Sequence, residues 1–276
     1  MKTIFALASG RSGTSYLANF FKYNVSHCFS THEPYFVLGN PVLFGRAVAW
    51  NTYQEDEKLL QLLQQKKRFI SSVKKSVYFE SNHAFLKTCD RYAAMLVDEP
   101  GFVHLVRNPL YVAKSELIRE QLIRRLHIPL AYYKRNGEKF FRWSLTGHEA
   151  IYEYYLDMKL SRYQFYLLQW IELEYRAVQL LKANKWQRKV FFIEVERHLN
   201  DSSTMQKMLD FFKLETTNKM LKMDLRTNKT PFVGQTIINE IDLEESRQVM
   251  KRLPYQYQSI LMQPPYQNCD WVNMLL

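Results

Sequence analysis

Cysteine is scarce in this 276-residue chain: Cys28, Cys89 and Cys269 lie far apart, with no C-x-x-C spacing. An odd, scattered set argues against a disulfide framework and a zinc site, and fits a reducing compartment. Long apolar runs are missing too, since no uninterrupted stretch approaches the ~20 residues that a bilayer-spanning helix needs. Met1-Lys2-Thr3 leads at once into a strand-like run. That leaves no room for a signal peptide or anchor, and a cytoplasmic protein is expected. There is no internal repeat, low-complexity run or linker, so one domain over residues 1–276 is expected. Acidic residues are outnumbered, 27 Asp+Glu against 38 Lys+Arg, a formal charge of +11. The excess has three readings: nucleic acid, a membrane surface, or an anionic cofactor or acceptor. Its densest groups are only Lys66-Lys67-Arg68, Lys74-Lys75 and Arg124-Arg125, and no nucleic-acid motif accompanies them. No nucleic-acid partner is expected.

Ser9-Gly10-Arg11-Ser12-Gly13-Thr14-Ser15 is the most informative stretch that is present. The apolar run Ile4-Phe5-Ala6-Leu7-Ala8 before it reads as a buried strand. Ser15 to Phe21 after it reads as an amphipathic helix with Leu17, Phe20 and Phe21 on one side. A glycine- and hydroxyl-rich turn between strand and helix presents backbone N–H groups at the helix's positive end, a geometry that binds phosphate. No Lys-Ser or Lys-Thr closes the turn, so it is not a Walker A loop. The Mg²⁺-holding hydroxyl of nucleoside triphosphatases has no counterpart, and no metal is expected.

Gly101 to Val106 reads as another buried strand, followed by Arg107-Asn108-Pro109. Pro109 suits a helix start, and Ser115 falls near the second turn of that helix. Arg107 and Ser115 can then share one phosphate, the first by a two-pronged charged contact and the second through its hydroxyl. The pair S-G-R-S-G-T-S and L-V-R-N-P-x-x-x-x-x-S, in this order and each behind a strand, resembles the sulfotransferases that use 3′-phosphoadenosine 5′-phosphosulfate (PAPS). The resemblance covers residues 1 to about 120 well and about 165–215 loosely. It implies an α/β fold, a P-loop-like three-layer sandwich around a parallel sheet, which the alternation of strands and helices favours independently.

The resemblance also implies roles. Gly10, Arg11, Ser12, Gly13, Thr14 and Ser15 would bind the 5′-phosphosulfate, and Arg107 and Ser115 the 3′-phosphate. Arg11, where the family has a Lys or Arg, would stabilise the charge that builds on the leaving phosphate. Thr14 or Ser15 would equally serve as helix N-caps. Glu33 is the candidate general base, since Glu33-Pro34 resembles the Glu-Pro pair of carbohydrate sulfotransferases. His32 is its rival, because aryl and steroid sulfotransferases use a histidine, and His83 is a third option. The implied reaction is metal-free transfer of a sulfuryl group from PAPS to a hydroxyl on a carbohydrate or other small molecule. A P-loop kinase and a catalytically silent nucleotide-binding protein are the alternatives.

Elsewhere the chain reads more coarsely. A short strand over Ser26–Thr31, a helix over Gln54–Phe69, a strand over Val77–Glu80 and a short helix over Arg91–Val97 precede the second motif. Pro109–Arg125 reads as the helix that follows it. Residues 128–147, with Pro129 and Gly137, read as an irregular, substrate-covering insertion. His148 to Lys185 is a helical pattern longer than a typical globular helix, and reads as either two helices or one buried helix. Its Tyr152, Tyr154, Tyr155, Tyr163, Tyr166 and Trp170 suit either the core or stacking on an acceptor. A strand over Lys189–Ile193 and a helix from Ser202 to Phe212, capped by Asp201 or Ser202, come next. The tail reads as loops and short helices, and its Arg226, Asn228 and Lys229 loosely resemble the family's late basic loop.

Overall fold

The computed structural model describes residues 1–33, 41–135, 137–225 and 236–275. Pro34, Arg226, Asn228 and Lys229 lie outside the described residues. Five strands form one sheet: β1 (Lys2–Ala8), β2 (Cys28–His32), β3 (Val77–Ser81), β4 (Gly101–Val106) and β7 (Val190–Glu194). Their order is β2-β3-β1-β4-β7 and every pairing is parallel. The apolar runs recognised in the sequence are these strands, because a parallel strand covered on both faces has little use for polar alternation.

Successive β1 side chains enter different layers. Ile4, Ala6 and Ala8 pack with α1 (Thr14–Asn24) and α10 (Ser202–Phe211), where Phe21 stacks on Phe79 with centroids 3.7 Å apart. Phe5 and Leu7 face the other way, into a larger core. That core draws on α2 (Pro41–Thr52), α3 (Asp56–Ser72), the short α4 (Phe85–Thr88) and α5 (Ala93–Leu96), and α6 (Pro109–Arg125). Beyond these come α7 (Ala150–Glu153), α8 (Arg162–Ala183), α11 (Glu240–Arg252), α12 (Tyr255–Leu261) and α13 (Val272–Leu275). The result is helices, sheet, helices: the expected three-layer α/β sandwich. The chain runs from β1 out to β2, back to β3, and then crosses β1 to reach β4. The crevice at the C-terminal ends of β1 and β4 is therefore the topological switch point, where ligands of such sheets bind.

Two elements differ from the sequence reading, and a third settles an open alternative. Residues 128–147 are not irregular throughout, since β5 (Tyr132–Arg135) and β6 (Glu138–Phe141) pair antiparallel with Arg135 opposite Glu138. The tail holds a 13-residue helix, α11, closed by a capping box between Asn239 and Asp242 and pinned to α6 by Lys114 on Asp242 at 2.7 Å. Of the two readings of the 148–185 stretch, the structure has two helices, α7 and α8, the second started by a Ser161–Gln164 capping box. Its aromatics are core: Tyr152, Tyr155, Tyr163, Tyr166 and Trp170 are buried, and only Tyr154 of the six is exposed. Among the described residues no helix is long and apolar enough to cross a membrane.

Candidate active site

The first loop leaves β1 and turns sharply, with φ of 95° at Gly10, 53° at Arg11 and 81° at Gly13. Gly13 is the N-cap of α1 and no side chain caps the helix. Thr14 and Ser15 are thus the first helical residues rather than caps, and the opening turn of α1 faces the crevice. Gly13 cannot be replaced without cost, because a Cβ there would stand 2.4 Å from Leu199 Cδ2. The Ser12 hydroxyl turns inward, donating to Gly10 O at 2.8 Å in a fully buried position. Its part is to shape the loop.

The second motif arrives from the end of β4. Pro109 opens α6 and the Asn108 side chain accepts from Leu110 N, so the helix start is firmly fixed. Arg107 and Ser115 both meet Arg11. Arg107 Nη1 donates to the Arg11 carbonyl, and Arg11 Nε donates to Ser115 Oγ at 3.0 Å. Arg107 also lies 3.4 Å from Glu196 Oε1. Burial lowers the Arg11 pKa, and the Glu116 carboxylate works against that. The guanidinium stays cationic, as arginine does in proteins.

A cavity of about 600 Å³ joins these parts. Arg11, Gly13, Thr14, Ser15 and Arg107 line it, whereas Gly10, Ser12 and Ser115 stand behind its wall. Glu33, His32 and His83 line it as well. They meet because β2 and β3 run parallel with His32 opposite Ser81, which brings both strand ends out on one side. Glu33 Oε1 lies 2.6 Å from His83 Nδ1 and 3.7 Å from His32 Nε2.

The three groups are not equivalent. His32 Nδ1 is 2.8 Å from Ser81 O, an acceptor, which assigns the proton to Nδ1. Its Nε2 then faces Ser15 Oγ at 3.1 Å, so both ring nitrogens are engaged. Burial favours protonated Glu33, but His83, then His32 and Arg119, overcome it and hold the carboxyl down at about 2. Burial lowers the His83 pKa against the pull of Glu33, so its ring is neutral at neutral pH. A neutral His83 donates Nδ1–H to the Glu33 carboxylate. Its Nε2 is left as an acceptor, shut from solvent and with no hydrogen-bond partner. That arrangement, a carboxylate fixing one histidine tautomer, readies the far nitrogen to take a proton.

The sequence reading does not single out Arg119, Glu116 or Glu196. Arg119 lines the cavity and Glu116 lies beneath the loop, 3.0 Å from where a Cβ on Gly10 would stand. A signal for Arg119 exists, since it follows Ser115 by four residues and so shares its face of α6. Glu196 follows β7 and no motif marks it.

No protein-family model matches the chain, and no curated protein matches it. Solved structures do. The sulfotransferase domain from the curacin biosynthetic pathway is 16% identical over 96% of this chain and 98% of that one, with a TM-score of 0.53. The sulfotransferase domain from the Synechococcus PCC 7002 olefin synthase is 11% identical over 96% of each chain, with a TM-score of 0.44. At such identity the first likeness is one of architecture, and it agrees with the sheet and crevice described above: the chain has the fold of a sulfotransferase domain.

Proposed function

We propose that the protein is a PAPS-dependent sulfotransferase that moves a sulfuryl group to the hydroxyl of a carbohydrate or other small molecule. One observation carries the reading. The uncapped start of α1, the Arg107 guanidinium and the Glu33–His83 pair open onto one cavity. Two cationic or amide-rich features, one from each motif, suit a donor with a phosphosulfate at one end and a phosphate at the other. The backbone amides at the start of α1, beside the left-handed turn at Gly13, suit a phosphate.

The donor supplies an activated sulfuryl group, and the chain's residues do the rest. Amides of the loop and the first turn of α1 orient the phosphosulfate. Arg11 faces the oxygen on which charge develops as the bond to sulfur breaks. Arg107 holds the distal phosphate, whose charge does not change. Where the sequence reading assigns the base to Glu33 itself, the geometry favours a shared role. Once the acceptor displaces the side chains that close it from solvent in the free protein, His83 Nε2 accepts the hydroxyl proton and Glu33 stabilises the resulting imidazolium. Positioning and electrostatics account for most of the rate.

Calorimetry tests the reading. Adenosine 3′,5′-bisphosphate should bind more tightly than AMP and than ATP with Mg²⁺, with affinity falling as salt rises. Equal affinity for AMP removes the distal phosphate site, and a preference for Mg·ATP replaces the reading with a kinase. Transfer of label from PAPS to a panel of glycans, phenols and lipids then identifies the acceptor class.

A further inference from the structure

Arg119 is the cavity cation that neither phosphate motif contains. It stands on α6 one turn beyond Ser115, about 6 Å along the helix axis. Its guanidinium carbon lies 5.3 Å from the ring centroid of Phe141 and 5.3 Å from that of Trp143, so two aromatic side chains at the end of the hairpin fix it in place. Its Nε and Nη2 are closed off from solvent and make no hydrogen bond. Glu116 Oε2 approaches Nε to 3.2 Å, close enough for charge pairing but out of alignment, and neither oxygen of that buried carboxylate is hydrogen-bonded. A guanidinium has five donors set as a planar fork. Here the guanidinium is held rigid, borders a cavity and is short of acceptors, an arrangement suited to an oxyanion that approaches from the cavity side.

The surroundings indicate which ligand brings that anion. Arg11 and Arg107 already serve the two ends of the donor. Arg119 stands instead among the hairpin aromatics and within electrostatic reach of Glu33 and His83, where an acceptor hydroxyl must sit. We propose that the acceptor is itself an oxyanion, a hydroxy compound with a carboxylate or similar group. Arg119 binds that group and so presents the hydroxyl to His83. The proposal rests on the sulfuryl-transfer reading above.

The test uses the full chain and separates the two ideas. In its first arm, adenosine 3′,5′-bisphosphate is titrated into the wild-type protein and into Arg119→Gln. Equal affinities within about threefold are expected. Failure of the wild type to bind overturns the sulfotransferase reading. A matching loss in Arg119→Gln alone overturns only the acceptor role, since Arg119 then holds the donor. In the second arm, the bisphosphate-loaded protein meets hydroxy acids paired with their methyl esters: 4-hydroxybenzoate, 3-hydroxybutyrate and methyl glucuronide. At least one acid should bind about tenfold or more tightly than its ester, a charge-assisted fork contact being at stake. Arg119→Gln should bring that acid to the level of its ester, and Arg119→Lys, with charge but no fork, should recover part of the difference. Should Arg119→Gln fail to fold, Arg119→Lys alone must reduce the preference. Acids binding no better than esters, no acid binding, or a preference that survives these substitutions overturns the proposal.

Discussion

Gly13→Ala and Gly137→Ala make a matched pair, because φ is 81° at the first and 82° at the second. Both alanines bear the same backbone penalty of roughly 1 kcal/mol for the left-handed region, reduced somewhat by the lower entropy of the unfolded chain. They differ in what the new methyl meets. Nothing lies within 4 Å of it at Gly137, whereas at Gly13 it stands 2.4 Å from Leu199 Cδ2. Leu199 must rotate or the loop must lift, at a further cost of roughly 1–3 kcal/mol for overpacking. Thermal melts should therefore show a fall of roughly 2–4 °C for Gly137→Ala and two to four times that for Gly13→Ala. The two should also part in function. Leu199 lines the cavity, so Gly13→Ala should lose most affinity for adenosine 3′,5′-bisphosphate by calorimetry, and Gly137→Ala none. Equal melting shifts with intact binding in both would refute the placement of the anion cradle at Gly13.

Arg107→Ala should raise the Kd for the bisphosphate and the KM for the donor with little change in kcat. Arg11→Ala should chiefly lower kcat, because in the proposed mechanism it would face charge that exists only in the transition state; steady-state kinetics with the roles reversed would exchange them. Glu33→Gln and His83→Asn should each reduce turnover by about 10²–10⁴-fold with donor affinity kept, and the double variant should lose little more than either. Additive losses would mean that the two groups do not act as a unit, and full activity in both, with loss in His32→Asn, would move the base to His32. The pH profile of kcat/KM should fall on the acid side as His83 gains a proton. Because its pKa is lowered, that limb should lie below the ordinary imidazole value of 6.5, and a midpoint above it would count against His83.

Much of the sheet is legible in the sequence. β1, β3 and β4 lie inside the sheet and appear as mainly apolar runs, and β7, a partly exposed edge strand, still reads as one through Val190-Phe191-Phe192-Ile193. Edge strand β2 is half-buried along its length, and its expected bounds slip by one or two residues. Helix α2 goes unseen because Pro41-Val42-Leu43-Phe44-Gly45 carries neither helix-favouring composition nor a polar face. The hairpin signal, Asn136-Gly137 between Tyr-Tyr-Lys-Arg and Glu-Lys-Phe-Phe, is present but masked by the charges around it. In the site, the residues within each motif are readable because one turn of chain places them. The partnership of Glu33 with His83 is not, since 50 positions separate them and only strand pairing makes them neighbours. Arg119 shares the face of Ser115 one turn on, but that this face borders the cavity is a long-range outcome that the spacing alone does not encode.

Arg11 has a place in both motifs at once. Its side chain reaches Ser115, and its carbonyl receives Arg107, so one residue of the first loop is held by both residues of the second. The two loops are therefore joined as a single clasp rather than as two separate grips. On the proposed reading, a nucleotide that engages one loop acts on a contact the other loop depends on, and its two ends would not contribute independently to affinity. By thermodynamic reciprocity, whatever the sulfate-bearing end does to recognition of the distal phosphate, the distal phosphate returns to the sulfate-bearing end in equal measure. If transfer proceeds as proposed, the same clasp would tie release of the spent nucleotide to the loosening of both loops together.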